Sequence, residues 1–229
     1  TTNLVTEEVE ARQTEVTHII SEQVTLFVQD ITRTLQVIGR AGFMLSFDTD
    51  QLNDYIANYL IPPENGTTIY RSIWLMDADG NEIAGIFNGE PLSLETMINR
   101  AEDEIFFRPE RGETYFSNVR VINQSPEISL SVPIYDNAGV FVGAVGAIID
   151  LETAWDIIRD LQLGQTGYAM LLDRRGNVIV HRDSAVVDAR YNLADSQPFV
   201  DALREQSVAV YQYNSPIGGD VVGSAQPII

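Results

Sequence analysis

The first part of the chain carries an apolar residue at every third, fourth or seventh position, with mostly polar residues between. That spacing indicates one face of a helix, and no Pro interrupts it, so we predict a helix from about Thr2 to Gly39. This helix is long for a globular protein, and its N-terminal half is rich in acids. We expect its C-terminal half to cover a core and its N-terminal half to project as a stalk or dimer helix through Val5, Val9, Val16 and Ile20.

The rest of the chain alternates between helical spacing and short apolar runs bounded by Gly, Pro, Asn and Asp. Helical spacing predicts helices at residues 50–60, 92–101, 151–163 and 199–205. The short runs predict strands at residues 67–76, 82–87, 128–135, 140–149, 167–173, 178–181, 208–213 and 221–225. Helices beside mainly antiparallel strands define an α+β protein.

One phrase occurs twice, at Leu75–Ile83 and, ninety-six residues later, at Leu171–Ile179. Both copies read two apolar residues followed by Asp-x-x-Gly-Asn-x-Ile, which is typical of a strand, a tight turn with Gly at positive φ, and a returning strand. A third Asp-x-x-Gly turn lies at 136–139. The repeat distance fits one small domain, so we predict two similar α+β modules in tandem, each a mainly antiparallel sheet of about five strands flanked by helices.

These elements divide the chain into four parts. We predict a long packing or stalk helix at 1–48, a first module at 49–150, a connecting helix at 151–164 and a second, smaller module at 165–229. The second module lacks its last strand, and both ends of the sequence have the pattern of a chain that continues.

Charge and composition exclude several classes of protein. The 229 residues carry a formal net charge of -19, with 14 basic and 33 acidic residues, which argues against a nucleic-acid partner. The absence of Cys excludes disulfides, thiolate catalysis and Cys-zinc sites, and no apolar run is long enough to span a membrane.

The sequence contains few residues in patterns typical of catalytic or metal-binding sites. There are two His, and the Asp77–Asn81 segment resembles the start of a calcium loop but has its Gly too early and lacks the closing Glu, so a hairpin turn explains it better. The sequence therefore predicts no catalytic centre, no metal site and no cofactor, and we expect the protein not to be an enzyme.

The first module contains residues suited to a small-molecule binding site. Ser129 and Ser131 alternate on an otherwise apolar strand and so share a face. An aromatic, a hydroxyl and a cation lead toward that strand at Tyr115, Ser117 and Arg120, and the aromatic side chain of Trp74 could wall the pocket. Two alternatives stay open: the serines lie on the solvent side of a sheet, and Trp74 packs in the core.

Several phrases, taken in order, resemble the double Cache domain, the extracytoplasmic ligand-binding region of bacterial chemoreceptors, histidine kinases and cyclic-nucleotide enzymes. They follow the long helix and are Leu75-Met76-Asp77, Tyr115-Phe116-Ser117, 131–139, 143–147 leading into Asp150-Leu151, 167–173 and 221–227. The resemblance implies two PAS-like modules packed along the long helix. The first is membrane-distal and usually holds the ligand, and the second is membrane-proximal.

The resemblance also implies a place and partners. Such a domain lies outside the cytoplasm in an inner-membrane receptor, with transmembrane helices before and after it, and it works as a homodimer. The alternative is a structural or dimerisation ectodomain without a ligand.

For the ligand itself, the amino-acid-binding members of the family provide the comparison. Tyr115 matches their strand-opening Tyr, but Ser117 stands where Asp is expected and Ile148 stands where the ammonium-binding Asp would be. A buried ammonium would then lack a counter-charge, and Arg120 favours an organic acid or another small anion.

Overall fold

The structure, a computed structural model, describes residues 2–44, 48–60, 69–122, 125–151, 167–205 and 210–227. The chain divides into two compact units. Residues 30–153 form one, here the central unit, and residues 1–29 with 154–229 form the other, here the terminal unit.

The described helices are five, and most lie where the hydrophobic spacing predicted them. They are α1 (Thr2–Met44), α2 (Thr49–Leu60), α3 (Glu104–Glu110), α4 (Ser184–Asp188) and α5 (Gln197–Glu205). The predicted connecting helix at 151–163 falls almost wholly outside the described residues. None of the described helices combines the length and apolar content needed to cross a lipid bilayer.

The predicted helix at 92–101 is wrong. The segment makes one turn at Ser93–Thr96 and then runs beside Glu82, whose amide donates to the Ile98 carbonyl at 3.0 Å. The Glu82 carboxylate accepts in return from the Ile98 amide at 3.1 Å. These tertiary hydrogen bonds replace the intrahelical ones, and the helix of this region forms later, at α3.

The described strands are β1 (Tyr70–Asp77), β2 (Glu82–Phe87), β3 (Glu90–Pro91), β4 (Tyr115–Phe116), β5 (Arg120–Ile122), β6 (Ser125–Tyr135), β7 (Phe141–Asp150), β8 (Met170–Leu172), β9 (Val178–His181), β10 (Val210–Ser215) and β11 (Gly219–Ser224). The first seven form one antiparallel sheet in the central unit, in the order β3-β2-β1-β7-β6-β4, with β5 also pairing with β6. This sheet has seven strands where about five were predicted.

One face of the central sheet packs on α1 and is termed the α1 face. Ile73 and Leu75 of β1 are fully buried there, and so are Leu35 and Ile38 of α1. Gly39 and Gly42 let the helix approach closely, because a Cβ at either position would overlap Ile134 or Leu75 of the sheet. Burial of this apolar face is the main force that holds the central unit together.

In the terminal unit the described strands form two separate antiparallel pairs, β8–β9 and β10–β11, where one sheet of about five strands was predicted. The N-terminal part of α1 packs on them. Ile20 and Val24 contact the cluster around Val180, and the Gln13 side chain donates to the Val222 carbonyl at 2.8 Å. The predicted stalk half of the helix therefore carries part of this unit's own core.

The three Asp-x-x-Gly turns form as predicted. In each, the Asp carboxylate accepts hydrogen bonds from two backbone amides of its turn, and the Gly has a φ of 80–81°. In the two repeated copies a second Asn, at Asn99 and Asn192, donates at 2.8 Å to the Asn of the turn. This second Asn, followed two residues later by Ala in both copies, is a further part of the repeat that was missed in the sequence.

Candidate ligand-binding site

The face of the central sheet opposite α1 carries α3 and is termed the α3 face. Strand register places Gly85, Trp74, Gly146, Ser131 and Tyr115 side by side in one row across five strands. Cross-strand neighbours share a face, so the row brings together three residues predicted for the site from distant parts of the sequence.

A second row lies beside the first. It contains Ser72, Ile148 and Ser129, and the Ser117 amide donates to the Ser129 carbonyl at 2.8 Å. Arg120 pairs with Glu127 in the next row, toward the end of the strands. All seven predicted site residues thus lie on one continuous patch, with Trp74 near its centre and Arg120 at its edge.

Trp74 is 2% exposed and packs with Met76, Phe106, Ala144 and Ile148. Gly146 makes room for it, since a Cβ there would overlap the indole ring. The indole Nε1 is buried and has no hydrogen-bond partner among the described residues. Trp74 is therefore a core residue that also presents an unused N–H donor.

The serines of the patch are largely bound to the protein itself. The Ser131 hydroxyl donates to the Ile105 carbonyl of α3 at 2.6 Å. The Ser117 hydroxyl donates to the Asn118 carbonyl and accepts from the Ser129 amide, both at 2.9 Å. They hold α3 and the segment after β4 against the sheet, so they build the site more than they line it.

An ionic network lies at the edge of the patch. Glu127 is buried between Arg71 at 3.5 Å and Arg120 at 3.4 Å, and Arg71 also contacts Asp150 at 2.6 Å. The Arg120 guanidinium also donates to the Ser129 hydroxyl at 3.2 Å. Arg120 is thus oriented by the sheet, while about half of its side chain stays exposed.

A second ion pair, missed in the sequence, lies against Trp74. The Arg100 guanidinium carbon is 5.4 Å from the Trp74 ring centroid, and Arg100 Nε contacts Glu82 Oε1 at 2.5 Å. Arg100 directly follows Asn99 of the repeated turn network, so the repeat marks its position. The Arg100 guanidinium lies over the face of the Trp74 indole, which is a favourable cation–π interaction.

Tyr115 closes the row at the edge of the sheet. Its hydroxyl donates to Glu104 Oε2 of α3 at 3.3 Å. Partial burial, with the negative charge of Glu104, raises the pKa of Tyr115, so the hydroxyl keeps its proton. Among the described residues there is no group of three His, Asp or Glu that could hold a metal ion.

The Cache domain model, dCache, matches residues 1–228 of the chain. The chain belongs to the Cache domain family. A search among curated proteins gives no match.

Solved Cache-like structures share the fold. The ligand-binding domain of the Pseudomonas aeruginosa PAO1 amino acid chemoreceptor PctC, in complex with GABA, has a TM-score of 0.67 at 15% identity, over 96% of this chain and 92% of that one. The sensory domain of the Campylobacter jejuni chemoreceptor Tlp3 with isoleucine bound has a TM-score of 0.67 at 12% identity, over 100% and 91%. The extracellular domain of mmHK1S-Z3, described as a histidine kinase, has a TM-score of 0.70 at 15% identity, over 93% and 87%.

The sequence resemblance is thus confirmed, and so is the α+β class with its long N-terminal helix. The predicted function, an extracytoplasmic sensor domain, agrees with the chemoreceptor and histidine kinase domains that share this fold.

The charged residues described on the α3 face of this Cache domain do not form an ammonium-binding site. Ile148 is buried in the Trp74 cluster and brings no charge. The two buried carboxylates of the described central sheet, Glu82 and Glu127, each already contact Arg. Among the described residues of this face, no buried carboxylate is left over for an ammonium group.

Proposed function

We propose that this Cache domain is the signal-input domain of an inner-membrane receptor, such as a histidine kinase, chemoreceptor or cyclic-nucleotide enzyme. It binds a small molecule in the membrane-distal module, on the α3 face of the central unit. Chemoreceptor domains of the same fold bind GABA and isoleucine, which supports a ligand of about the size of an amino acid.

The observation that carries the proposal is the Trp74 indole N–H. A buried donor without an acceptor costs about 1–3 kcal/mol and is rare in native proteins, and we propose that a bound ligand supplies the acceptor here. The N–H lies directly over Gly146, whose missing Cβ leaves room for the indole ring. A ligand oxygen between the sheet and α3 would satisfy it.

The charges of the face favour a small organic acid or another small anion. An ammonium ligand would need a buried carboxylate, and Glu82 and Glu127 already contact Arg100 and Arg120. A carboxylate ligand instead finds the Trp74 donor, and the half-exposed Arg120 at the edge of the patch adds a positive charge that favours an anion. Ser129 orients Arg120, while Ser131, Ser117 and Tyr115 hold α3 and the segment after β4 against the sheet.

Replacing Trp74 by Phe keeps an aromatic ring and removes the N–H. We expect a small acid that binds wild type to bind this variant about 10-fold more weakly, the effect of about 1.4 kcal/mol for one hydrogen bond. Ligands come from a thermal-shift screen of acetate, lactate and succinate beside GABA and isoleucine. Binding at about 100 times Kd adds about 2.7 kcal/mol to stability.

The matched control is Trp155→Phe, which removes the second indole of the chain. An acid that stabilises wild type and both variants equally would show that Trp74 does not contact it. The absence of any shift in melting temperature across the screen would favour the alternative, a ligandless dimerisation module. The tight contact of α3 with Ser131 would then seal a filled core.

We also propose that the receptor is a homodimer through α1 and is anchored by membrane helices outside this sequence. Ile19 and Leu26 are 42% and 57% exposed, and their spacing of seven residues places them on one helix face. Ile20 and Val24 face the chain's own core, so the dimer contact uses the neighbouring face of the helix.

A Cys introduced at Leu26 of the membrane-anchored receptor should crosslink to its copy under mild oxidation, and ligand should change the yield. Because these 229 residues contain no Cys, a crosslink within the domain must involve the introduced residue. Cys at Ile20, which packs inside the unit, is the matched control and should crosslink far less. Equal crosslinking at both positions, or none at Ile19 and Leu26, would contradict a dimer through this face.

A further inference from the structure

A second buried N–H donor lies in the terminal unit, at the end of β9. His181 is 6% exposed, and the Asp183 amide donates to its Nδ1 at 3.0 Å. Since an amide N–H can only donate, the neutral imidazole carries its proton on Nε2. Nε2 is buried and has no hydrogen-bond partner in the part of the chain that the structure describes.

The internal repeat places His181 at a meaningful position. Met170 pairs with His181 across the β8–β9 hairpin, just as Trp74 pairs with Gly85 across β1–β2. The members of the first pair lie ninety-six residues after those of the second, which is the distance of the sequence repeat. The His181 side of this hairpin is therefore the counterpart of the α3 face in the central unit.

The groups around His181 are polar and cationic. The Tyr168 ring lies at 4.7 Å from the imidazole, nearly perpendicular to it, and the Arg182 guanidinium carbon lies 5.0 Å from the Tyr168 ring centroid. Arg182 is exposed and forms no ion pair with the described carboxylates. Gly218 lies beside the Tyr168 hydroxyl, which a Cβ at that position would approach to 3.3 Å.

The described carboxylate nearest in sequence is already engaged. Asp183 caps α4, because its side chain accepts from the Ala185 amide at 3.0 Å. Burial lowers the pKa of His181, so the ring is neutral at pH 7 and offers one N–H. An N–H donor beside an unpaired guanidinium selects an acceptor that carries negative charge.

We propose that the terminal unit holds a second small-molecule site, formed by His181, Tyr168 and Arg182, that binds an anionic oxygen of a carboxylate or a phosphate. The oxygen accepts from His181 Nε2–H, and Arg182 supplies the counter-charge. The site does not depend on whether the α3 face of the central unit binds a ligand.

The chain has two His, so histidine-selective NMR reports on the site directly. Protein labelled with ¹⁵N,¹³C-histidine is titrated separately with sodium acetate, sodium phosphate and sodium chloride. We expect a saturable shift of the His181 Nε2 and Cε1 signals with acetate or phosphate, and the responding anion identifies the ligand class. The exposed His18 on α1 is the internal control. Its signals should shift no more with acetate or phosphate than with chloride.

Two results would overturn the proposal. One is the absence of a saturable His181 shift with both acetate and phosphate. The other is an Nδ1–H tautomer in the spectrum, with the proton directed to the Asp183 carbonyl at 3.2 Å, because Nε2 would then be no donor.

A pair of variants separates the donor from the fold. His181→Gln keeps an N–H near the Nε2 position and should retain binding within about 3-fold. The shorter side chain of His181→Asn keeps an acceptor for the Asp183 amide but brings no N–H to the Nε2 position, so it should bind at least about 10-fold more weakly. Equal affinities in both folded variants would contradict a role for Nε2. Trp74→Phe should leave this titration unchanged, so failure here is distinguishable from failure at the α3 face.

Discussion

Replacing Arg100 by Ala is expected to destabilise the domain by about 3–5 kcal/mol, the effect of leaving one member of a buried ion pair without its partner. The Glu82 side chain is 1% exposed and contacts Arg100 at 2.5 Å. Its remaining hydrogen bond, from the Ile98 amide, does not neutralise its charge. The variant also loses the cation above the Trp74 ring. Urea unfolding followed by circular dichroism measures the change in free energy.

Two controls test the ion pair itself. Adding Glu82→Gln to the Arg100→Ala variant removes the stranded charge while keeping an acceptor for the Ile98 amide, so it should restore much of the lost stability. Arg108→Ala is the surface counterpart, because Arg108 contacts Glu113 at 2.9 Å with both side chains about half exposed. It should cost much less than Arg100→Ala, because ion pairs between exposed side chains contribute little to stability. Similar losses at Arg100 and Arg108 would mean that Glu82 is solvated in the folded protein.

Replacing Gly146 by Ala should destabilise the domain by about 1–3 kcal/mol, because the added methyl group overlaps the Trp74 indole and forces the core to shift. The direction of the change in stability is informative. In a strand without such a contact, Gly→Ala is normally stabilising by about 0.5–1 kcal/mol, since Gly loses more conformational entropy on folding. The same urea titration, with Trp74 fluorescence recorded in a Trp155→Phe background, measures both the stability and the displaced ring.

The double variant Gly146→Ala with Trp74→Leu provides the matched test. If the ring causes the loss, the methyl group should cost much less beside the smaller Leu, and the two substitutions should show a coupling free energy of about 1 kcal/mol or more. A Gly146→Ala protein as stable as wild type would place the indole elsewhere and remove the basis for a donor above Gly146.

The sequence by itself determined the elements that depend on short-range chemistry. A stripe of apolar residues without Pro was enough for α1, and Pro62 and Pro63 predicted the end of α2 because Pro cannot continue a helix. The three Asp-x-x-Gly turns were equally accessible. There the carboxylate accepts amides two and four residues away, and Gly takes the positive φ that other residues avoid.

The segment at 92–101 shows where local pattern fails. Helical spacing is present at Leu94, Met97, Ile98 and Ala101. However, the backbone of Ile98 exchanges hydrogen bonds with Glu82 from another element. Burial of Glu82 with Arg100 then fixes the segment beside β2. Long-range hydrogen bonds of this kind override helix propensity, which amounts to only tenths of a kcal/mol per residue.

For the candidate site, the sequence supplied the residues and the tertiary structure decided their roles. Alternation along β6 predicted that Ser129 and Ser131 share a face, and family resemblance pointed to Tyr115 and Ile148. Strand register placed Trp74 beside Gly146 and Arg120 beside Glu127, and the packing of α3 on the sheet bound the Ser131 hydroxyl. Register arises from packing between strands distant in sequence, so the unused N–H groups of Trp74 and His181 became visible only in the folded chain.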